Sequence, residues 1–290
     1  KQKTAYEIRN CDWSSDVCSS DLSFPIDVPQ GDPSFDPQGT GSQTLPFLRS
    51  LFDAETGVSS PREQVNAITA WLDGSMIYGS NAETAAALRT FVGGRLKLGP
   101  DGLLPRNNAE NFPDGTLPMG NDAHRTSDDQ LFAAGDVRAN ENIELTSLQT
   151  LFVREHNRLA GEIARANPGL DDEAVYQAAR AYVIGELQVI TYKEWLPTLL
   201  GSGALQTYQG YNPDVHPGIA NEFSTAAFRL GHSLLGNDVQ FLDDQGRPVA
   251  EEVPLSDAFS NPDLVQEHGV DPILKYLASD PSSELDLQVV

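Results

Sequence analysis

The chain has 290 residues and a formal net charge of −23, with 42 acidic against 19 basic side chains. Such a surface repels phosphate backbones and anionic lipid, which argues against nucleic-acid or anionic-membrane partners and favours solubility and cation binding. No apolar run is long enough to cross a bilayer, and the length suffices for one large domain with a sizeable core.

The first 22 residues, KQKTAYEIRNCDWSSDVCSSDL, fit nothing that follows. They carry no helical or strand periodicity, and the basic Lys1 and Lys3 precede no apolar stretch or cleavage site of a secretory signal. The string resembles the translation of a sequencing-library adapter, so residues 1–22 are expected to stand outside the fold and 23–290 to form the domain; the alternative is a disordered leader. Both cysteines, Cys11 and Cys18, lie in this stretch. The remainder therefore has no disulfide framework, thiolate metal site or cysteine nucleophile.

From Ser23 to about Ser59 the chain is rich in Pro, Gly, Asp and Ser and reads as loop with room for one short strand. Ser60-Pro61-Arg62-Glu63 has the form of a capping box with proline at the first helical position, predicting a short helix through Val65, Ile68 and Thr69. Ser80-Asn81-Ala82-Glu83 repeats the box, and its alanine-rich helix is expected to stop at Gly93-Gly94. Residues 95–130 return to loop. A long helix follows over about Leu145–Arg165, with Leu148, Leu151, Phe152, Leu159 and Ile163 on one stripe and Asn167-Pro168-Gly169 closing it. A second starts near an Asp171 N-cap and reaches Trp195, before Pro197. A third is predicted from Asn221 to about Leu235. The chain ends at ELDLQVV, which reads as a helix cut in its first turns. With no repeat, heptad or alternating strand series, the fold class is mainly α.

Four places hold residues able to carry chemistry. In Thr69-Ala70-Trp71-Leu72-Asp73-Gly74-Ser75 oxygen-bearing side chains recur at spacings of two and four around a glycine, a pattern that can converge on calcium or form an ordinary helix-to-turn junction with a capping aspartate. In Gly135-Asp136-Val137-Arg138-Ala139-Asn140-Glu141, Arg138 and Glu141 share a face if the helix has begun; the pair is either a surface ion pair or a permanent cation able to polarise bound oxygen. His232 stands on an otherwise apolar helix face beside Gly231, which would let a flat ring approach; it is an iron ligand or a satisfied helical histidine. His156, in Arg154-Glu155-His156-Asn157-Arg158, suits a buried polar network tying helices together. His124, His216 and His268 sit in Pro/Gly/Asp-rich surroundings and are expected to be solvated.

In order and content, the runs REQVNAITAWLDGSMIYGS, LFAAGDVRANENIELTSLQTLFVREHNRLA, ARAYVIGELQVITYKEWLPTLLG and AFRLGHSLL together resemble the animal-type haem peroxidases of the peroxidase–cyclooxygenase superfamily. The resemblance spans most of residues 60–235 and implies a helical peroxidase domain truncated at both ends. It implies haem b held by His232 as proximal iron ligand, Arg229 near the propionates, Glu141 able to form an ester to the haem, and Arg138 assisting peroxide cleavage. It assigns Thr69, Trp71, Asp73 and Ser75 to a calcium site. It further implies hydrogen peroxide and a halide or small organic donor as reactants, and export from the cell. A slot for the flat macrocycle is then expected between His232 and the Arg138 guanidinium. One departure stands out. The family's Gln-x-x-Asp-His-Asp run, source of the distal histidine, is missing, so the chain by itself is expected to be a poor peroxidase or none. A fatty-acid dioxygenase of the same fold and a non-catalytic adhesion or matrix domain are the rival readings.

Overall fold

The computed structural model describes residues 23–47, 49–121 and 123–284; the expectations for residues 1–22 and 285–290 lie outside these. The chain forms two compact units, Lys1–Ala67 and Ile68–Val290.

In the first unit β1 (Ile26–Asp27) pairs antiparallel with β2 (Thr44–Leu45), Ile26 opposite Leu45. The loop between them is organised by the buried Asp36 carboxylate, which accepts from the amides of Gly31, Thr40 and Gly41 and from the Thr40 hydroxyl. These donors, led by the Gly41 amide and opposed by burial, hold Asp36 down at about 2. The helix predicted over Val65–Thr69 does not form. The backbone there is committed elsewhere: Phe52 bridges Gln64 antiparallel, Asp53 N–H donates to Glu63 and Val65 N–H to Leu51. Pairing across the turn satisfies the groups that a first helical turn would leave open.

In the second unit α1 (Ser75–Tyr78) and α2 (Ala82–Ala87) come first. The side chain of Asn81, not Ser80, caps α2 by accepting from Thr84 N–H at 2.7 Å. The helix ends at Ala87, short of Gly93-Gly94, because Arg89 bridges Leu96 and Lys97 N–H donates to the Leu88 carbonyl. Both glycines lie in the ensuing turn. Gly94 (φ +67) is there because a Cβ would fall 2.5 Å from the Tyr176 amide nitrogen.

The long helix α3 (Ile143–Ala166) is capped by Asn142, and α4 (Asp172–Val189) by Asp171. α3 is the hub against which α1, α4 and two later helices pack. Its inward face takes in only part of the predicted stripe: Phe152, Leu159 and Ile163 pack half-buried against the core. Ile143, Thr146, Ser147, Gln149, Thr150, Val153, His156 and Ala160 are buried, whereas Leu148 and Leu151 are exposed. Hydroxyls can occupy the interior because Thr146, Ser147 and Thr150 donate to the carbonyls of Ala139, Ile143 and Thr146 at 2.7 Å.

Pro197 does not end the second helix. A π-helical stretch, Ile190–Trp195, follows α4 and leads into α5 (Leu196–Leu200), where proline occupies the first turn and its missing N–H is tolerated. Gly201 (φ +92) ends it.

The third predicted helix is broken. α6 (Asn221–Thr225) stops at Ala226, and Ala227–Leu234 is wound as a 3-10 helix. The Ser224 and Thr225 hydroxyls both donate to the Asn221 carbonyl, drawing on the acceptor that the helix would use. β3 (Asp238–Val239) then pairs with β4 (Val253–Pro254), followed by α7 (Leu255–Ala258), α8 (Pro262–His268) and α9 (Asp271–Ser279), none of which the sequence reading placed. α8 and α9 pack on α3. Among the described residues no helix is long and apolar enough to cross a membrane.

Candidate functional site

The GDVRANE segment is pinned from both sides. A Cβ on Gly135 would lie 2.3 Å from the Ser75 carbonyl oxygen and 2.4 Å from the Gly79 nitrogen, so only glycine lets the chain run against α1. Downstream, buried Asn140 exchanges hydrogen bonds with the Phe132 backbone at 2.8 and 2.9 Å, and Thr146 donates to the Ala139 carbonyl. The backbone at Arg138 is thereby fixed before its side chain does anything.

Helix has not begun at Arg138; residues 137–142 form turns, and α3 opens at Ile143. The partner of Arg138 is therefore not Glu141 but Asp136, which sequence reasoning passed over. The guanidinium donates to both Asp136 carboxylate oxygens, at 2.9 and 2.7 Å. Two residues apart in a turn, the groups meet in a bidentate fork. Burial works against charge on Asp136, but the side chain and amide of Arg138 hold its carboxyl below the ordinary value. Hydrogen bonding to Asp136 raises Arg138 against its own burial, and the Glu141 charge adds to it. Arg138 is thus a fixed cation whose side chain remains 57% exposed. Glu141 is exposed too.

The Thr69–Ser75 loop folds back on the Asp73 carboxylate, which meets the Thr69 side chain and the Ser75 backbone. Thr69 Oγ1 lies 3.4 Å from Asp73 Oδ2, Ser75 N–H donates to Asp73 Oδ1 at 3.1 Å, and Trp71 N–H donates to Thr69 Oγ1. Asp73 is the one carboxylate in the loop, and among the described residues no group of three or more His, Cys, Asp or Glu side chains converges as a metal cage. The donors are hard oxygens suited to calcium, but they make a partial shell.

His232 and Arg229 lie on the 3-10 segment with their side chains exposed, beside exposed Phe228 and Leu230. Phe228 stacks on Phe223 and meets the edge of Trp195, which ties this segment to α6 and the π-helical stretch. Among the described residues none hydrogen-bonds the His232 ring, and no hydrogen bond or ion pair joins His232 or Arg229 to Arg138 or Glu141. A cavity of about 430 Å³ is lined neither by His232 nor by Arg138 but by Asp73, Tyr78, Arg89, Phe91, Tyr176 and Arg180 among others. A haem requires an unengaged imidazole nitrogen, apolar surroundings for the ring and cations for its carboxylates. His232, the Phe228 and Leu230 side chains, and Arg229 supply these in kind, and nothing lies within 4 Å of the Cβ position of Gly231. The donor set fits the group.

His156 is the opposite case. It is fully buried, with Nε2 2.8 Å from the Gly94 carbonyl oxygen and Nδ1 2.9 Å from the Tyr78 hydroxyl, as expected of a network histidine. His124 and His216 are exposed, while His268 is half-buried against the Phe241 ring.

Comparison with known proteins closes the identification. The family model for animal haem peroxidase matches residues 1–290. The chain is 36% identical over 279 residues to peroxinectin A of Dictyostelium discoideum, covering 92% of this chain and 51% of that protein. It superimposes on the structure of peroxidase A from the same organism with a TM-score of 0.81 and 34% identity, over 92% of this chain and 53% of that one. A fatty acid alpha-dioxygenase of Oryza sativa shares the fold at a TM-score of 0.65 and 20% identity, over 90% of this chain and 45% of that one. The chain thus spans about half the length of these two Dictyostelium relatives. A helical core hung on α3, the GDVRANE turn fixed against α1, and likeness over nine-tenths of the sequence lead to one conclusion: this chain belongs to the animal haem peroxidase family.

Proposed function

We propose that the protein containing this chain reduces hydrogen peroxide at a haem and couples that reduction to oxidation of a halide or a small organic donor. The observation that carries this reading is the family match over the whole chain, with Arg138, Glu141 and His232 all present in the matching motifs. Bound haem would carry the electron chemistry; the polypeptide positions it and sets its electrostatics. His232 would hold the iron through a ring nitrogen and Arg229 would offer a cation to the propionates. Glu141 would be the carboxylate able to form an ester to haem b. Arg138 stays charged at any accessible pH and, braced by Asp136, would donate hydrogen bonds to the oxygen that gains negative charge as the peroxide bond breaks. A base that carries the proton between the two peroxide oxygens contributes on the order of 10²–10⁴ in rate. These 290 residues lack the Gln-x-x-Asp-His-Asp run that would supply it, so the chain in isolation should be a poor catalyst.

Calcium belongs to the same reading. Thr69, Asp73 and Ser75 side chains with the Thr69 and Trp71 carbonyls would bind it, a further ligand coming from outside the loop because one carboxylate leaves a divalent ion under-neutralised. Export from the cell completes the proposal.

The test uses the full-length, haem-loaded protein. Oxidation of iodide or guaiacol should require hydrogen peroxide. Oxygen uptake with a fatty acid and no peroxide-dependent donor oxidation would overturn the reading in favour of a dioxygenase, and failure to bind haem would favour an adhesion domain.

A further inference from the structure

The Tyr78–His156 pair is not used by the chemistry above, yet it has the geometry of a proton-coupled redox centre. A carbonyl oxygen can only accept, so His156 Nε2, 2.8 Å from the Gly94 carbonyl, carries a proton. In the neutral ring Nδ1 is then a bare lone pair, and the Tyr78 hydroxyl 2.9 Å away donates to it. Tyr78 and His156 are at most 1% exposed, so the bond is not exchanged for water. Tyr176 closes the cluster edge-on, its ring centroid 6.0 Å from Tyr78 and 5.4 Å from His156. Burial lowers His156 and raises Tyr78, and the resting pair is neutral imidazole and neutral phenol.

The backbone beside Tyr78 lies against the segment that leads to Arg138. Gly79, the next residue, touches the backbone of Gly135. Arg138 follows three residues later, at most about 11 Å further along the chain.

Resting on the haem peroxidase reading, we propose that Tyr78 is a redox-active tyrosine that surrenders one electron to the peroxide-oxidised haem and, in the same step, its phenolic proton to His156 Nδ1. The products are a neutral phenoxyl radical on Tyr78 and an imidazolium on His156 that donates from Nδ1 to the radical oxygen and from Nε2 to the Gly94 carbonyl. A phenol occupying the 430 Å³ cavity, which Tyr78 and Tyr176 line, returns the electron; Tyr78 recovers its proton from His156, and the proton lost by the oxidised phenol goes to solvent. Two arginines face the pair, Arg180 5.4 Å from the Tyr78 ring and Arg89 3.9 Å from the Tyr176 ring. Arg89 is paired with Asp172 and Glu173. These cations disfavour a lasting imidazolium, which makes the radical transient and the proton quick to return.

The experiment is freeze-quench, high-field electron paramagnetic resonance of the full-length haem protein after hydrogen peroxide is added. The expected signal is a tyrosyl radical with the lowered gx of a phenoxyl that accepts a strong hydrogen bond, lost in Tyr78→Phe and kept in Tyr176→Phe. Phenol should quench it, and Ala86→Trp, which fills the cavity, should slow that quenching. A haem spectrum that responds to peroxide with no tyrosyl signal, or with one that survives Tyr78→Phe, overturns the proposal while leaving the peroxidase reading intact. If Tyr78→Phe does not fold, the wild-type gx decides: a value typical of an unbonded phenoxyl contradicts the His156 contact. Quenching unaffected by Ala86→Trp removes the cavity as the donor site. A haem that is blind to peroxide overturns both readings.

Discussion

Two histidines on helical backbone divide this molecule into its two kinds of region. His156 lies inside α3 with both ring nitrogens engaged and no exposure, surrounded by Tyr78, Tyr176 and the Gly94 carbonyl. His232 lies on an eight-residue 3-10 run with its ring exposed and no hydrogen-bonding partner among the described residues. The difference teaches where stability and chemistry are separately invested. A satisfied imidazole holds elements together, while an unsatisfied one, on a segment wound unusually for its length, is available to a ligand.

The largest expected contrast is in stability. His156→Ala removes a buried ring and leaves the Tyr78 hydroxyl and Gly94 carbonyl unpaired, which should cost about 3–5 kcal/mol. His232→Ala should stay within about 0.5 kcal/mol, as surface changes do. Denaturant titration of both variants in the haem-free full-length protein checks this, and equal losses would erase the distinction.

Next in size is the effect of Arg138, whose surroundings belong to the ordered region although its side chain faces outward. Arg138→Ala should lower peroxide-dependent turnover by about 10²–10³-fold, the usual cost of losing a donor aimed at developing negative charge. Steady-state kinetics with guaiacol would reveal it. Stability should change little beside that.

The smallest effect is a pH dependence. Burial holds His156 below its ordinary 6.5, so the unfolded chain takes up a proton before the folded one does. Stability from this group is complete above pH 6.5 and declines as pH falls toward the folded value, by at most about 1.4 kcal/mol per pH unit. In His156→Gln that component of the slope should vanish from melting temperatures measured across pH 5–7.

Much of the ordered region was legible in the sequence. α3 and α4 announce themselves by length and α4 also by its Asp171 cap, whereas the Asn142 cap that opens α3 two residues earlier than expected was passed over; the setting of His156 between charged neighbours pointed to a buried network. Local signals failed where longer-range pairing competed. The capping box at Ser60 lost to strand-like pairing with residues 51–53, and α2 was shortened by the Arg89–Leu96 bridge. The inward face of α3 was only partly placed, Phe152, Leu159 and Ile163 rightly and Leu148 and Leu151 wrongly, because hydroxyls that bond to their own helix are nearly as acceptable inside as aliphatic chains. Asp136 was missed since an ion pair across two residues exists only if the backbone turns there. The candidate site itself was readable only through family resemblance: periodicity alone could not separate His232 from any other helical histidine, and the predicted continuous helix around it is in fact broken at Ala226.

The account depends most on the availability of the His232 ring. Absorption spectroscopy of the full-length protein reconstituted with haem tests it directly, comparing wild type with His232→Ala. Loss or a strong shift of the Soret band in the variant, with the fold retained, is the predicted result; a Soret band identical in position and intensity would contradict the assignment of His232 as the iron ligand.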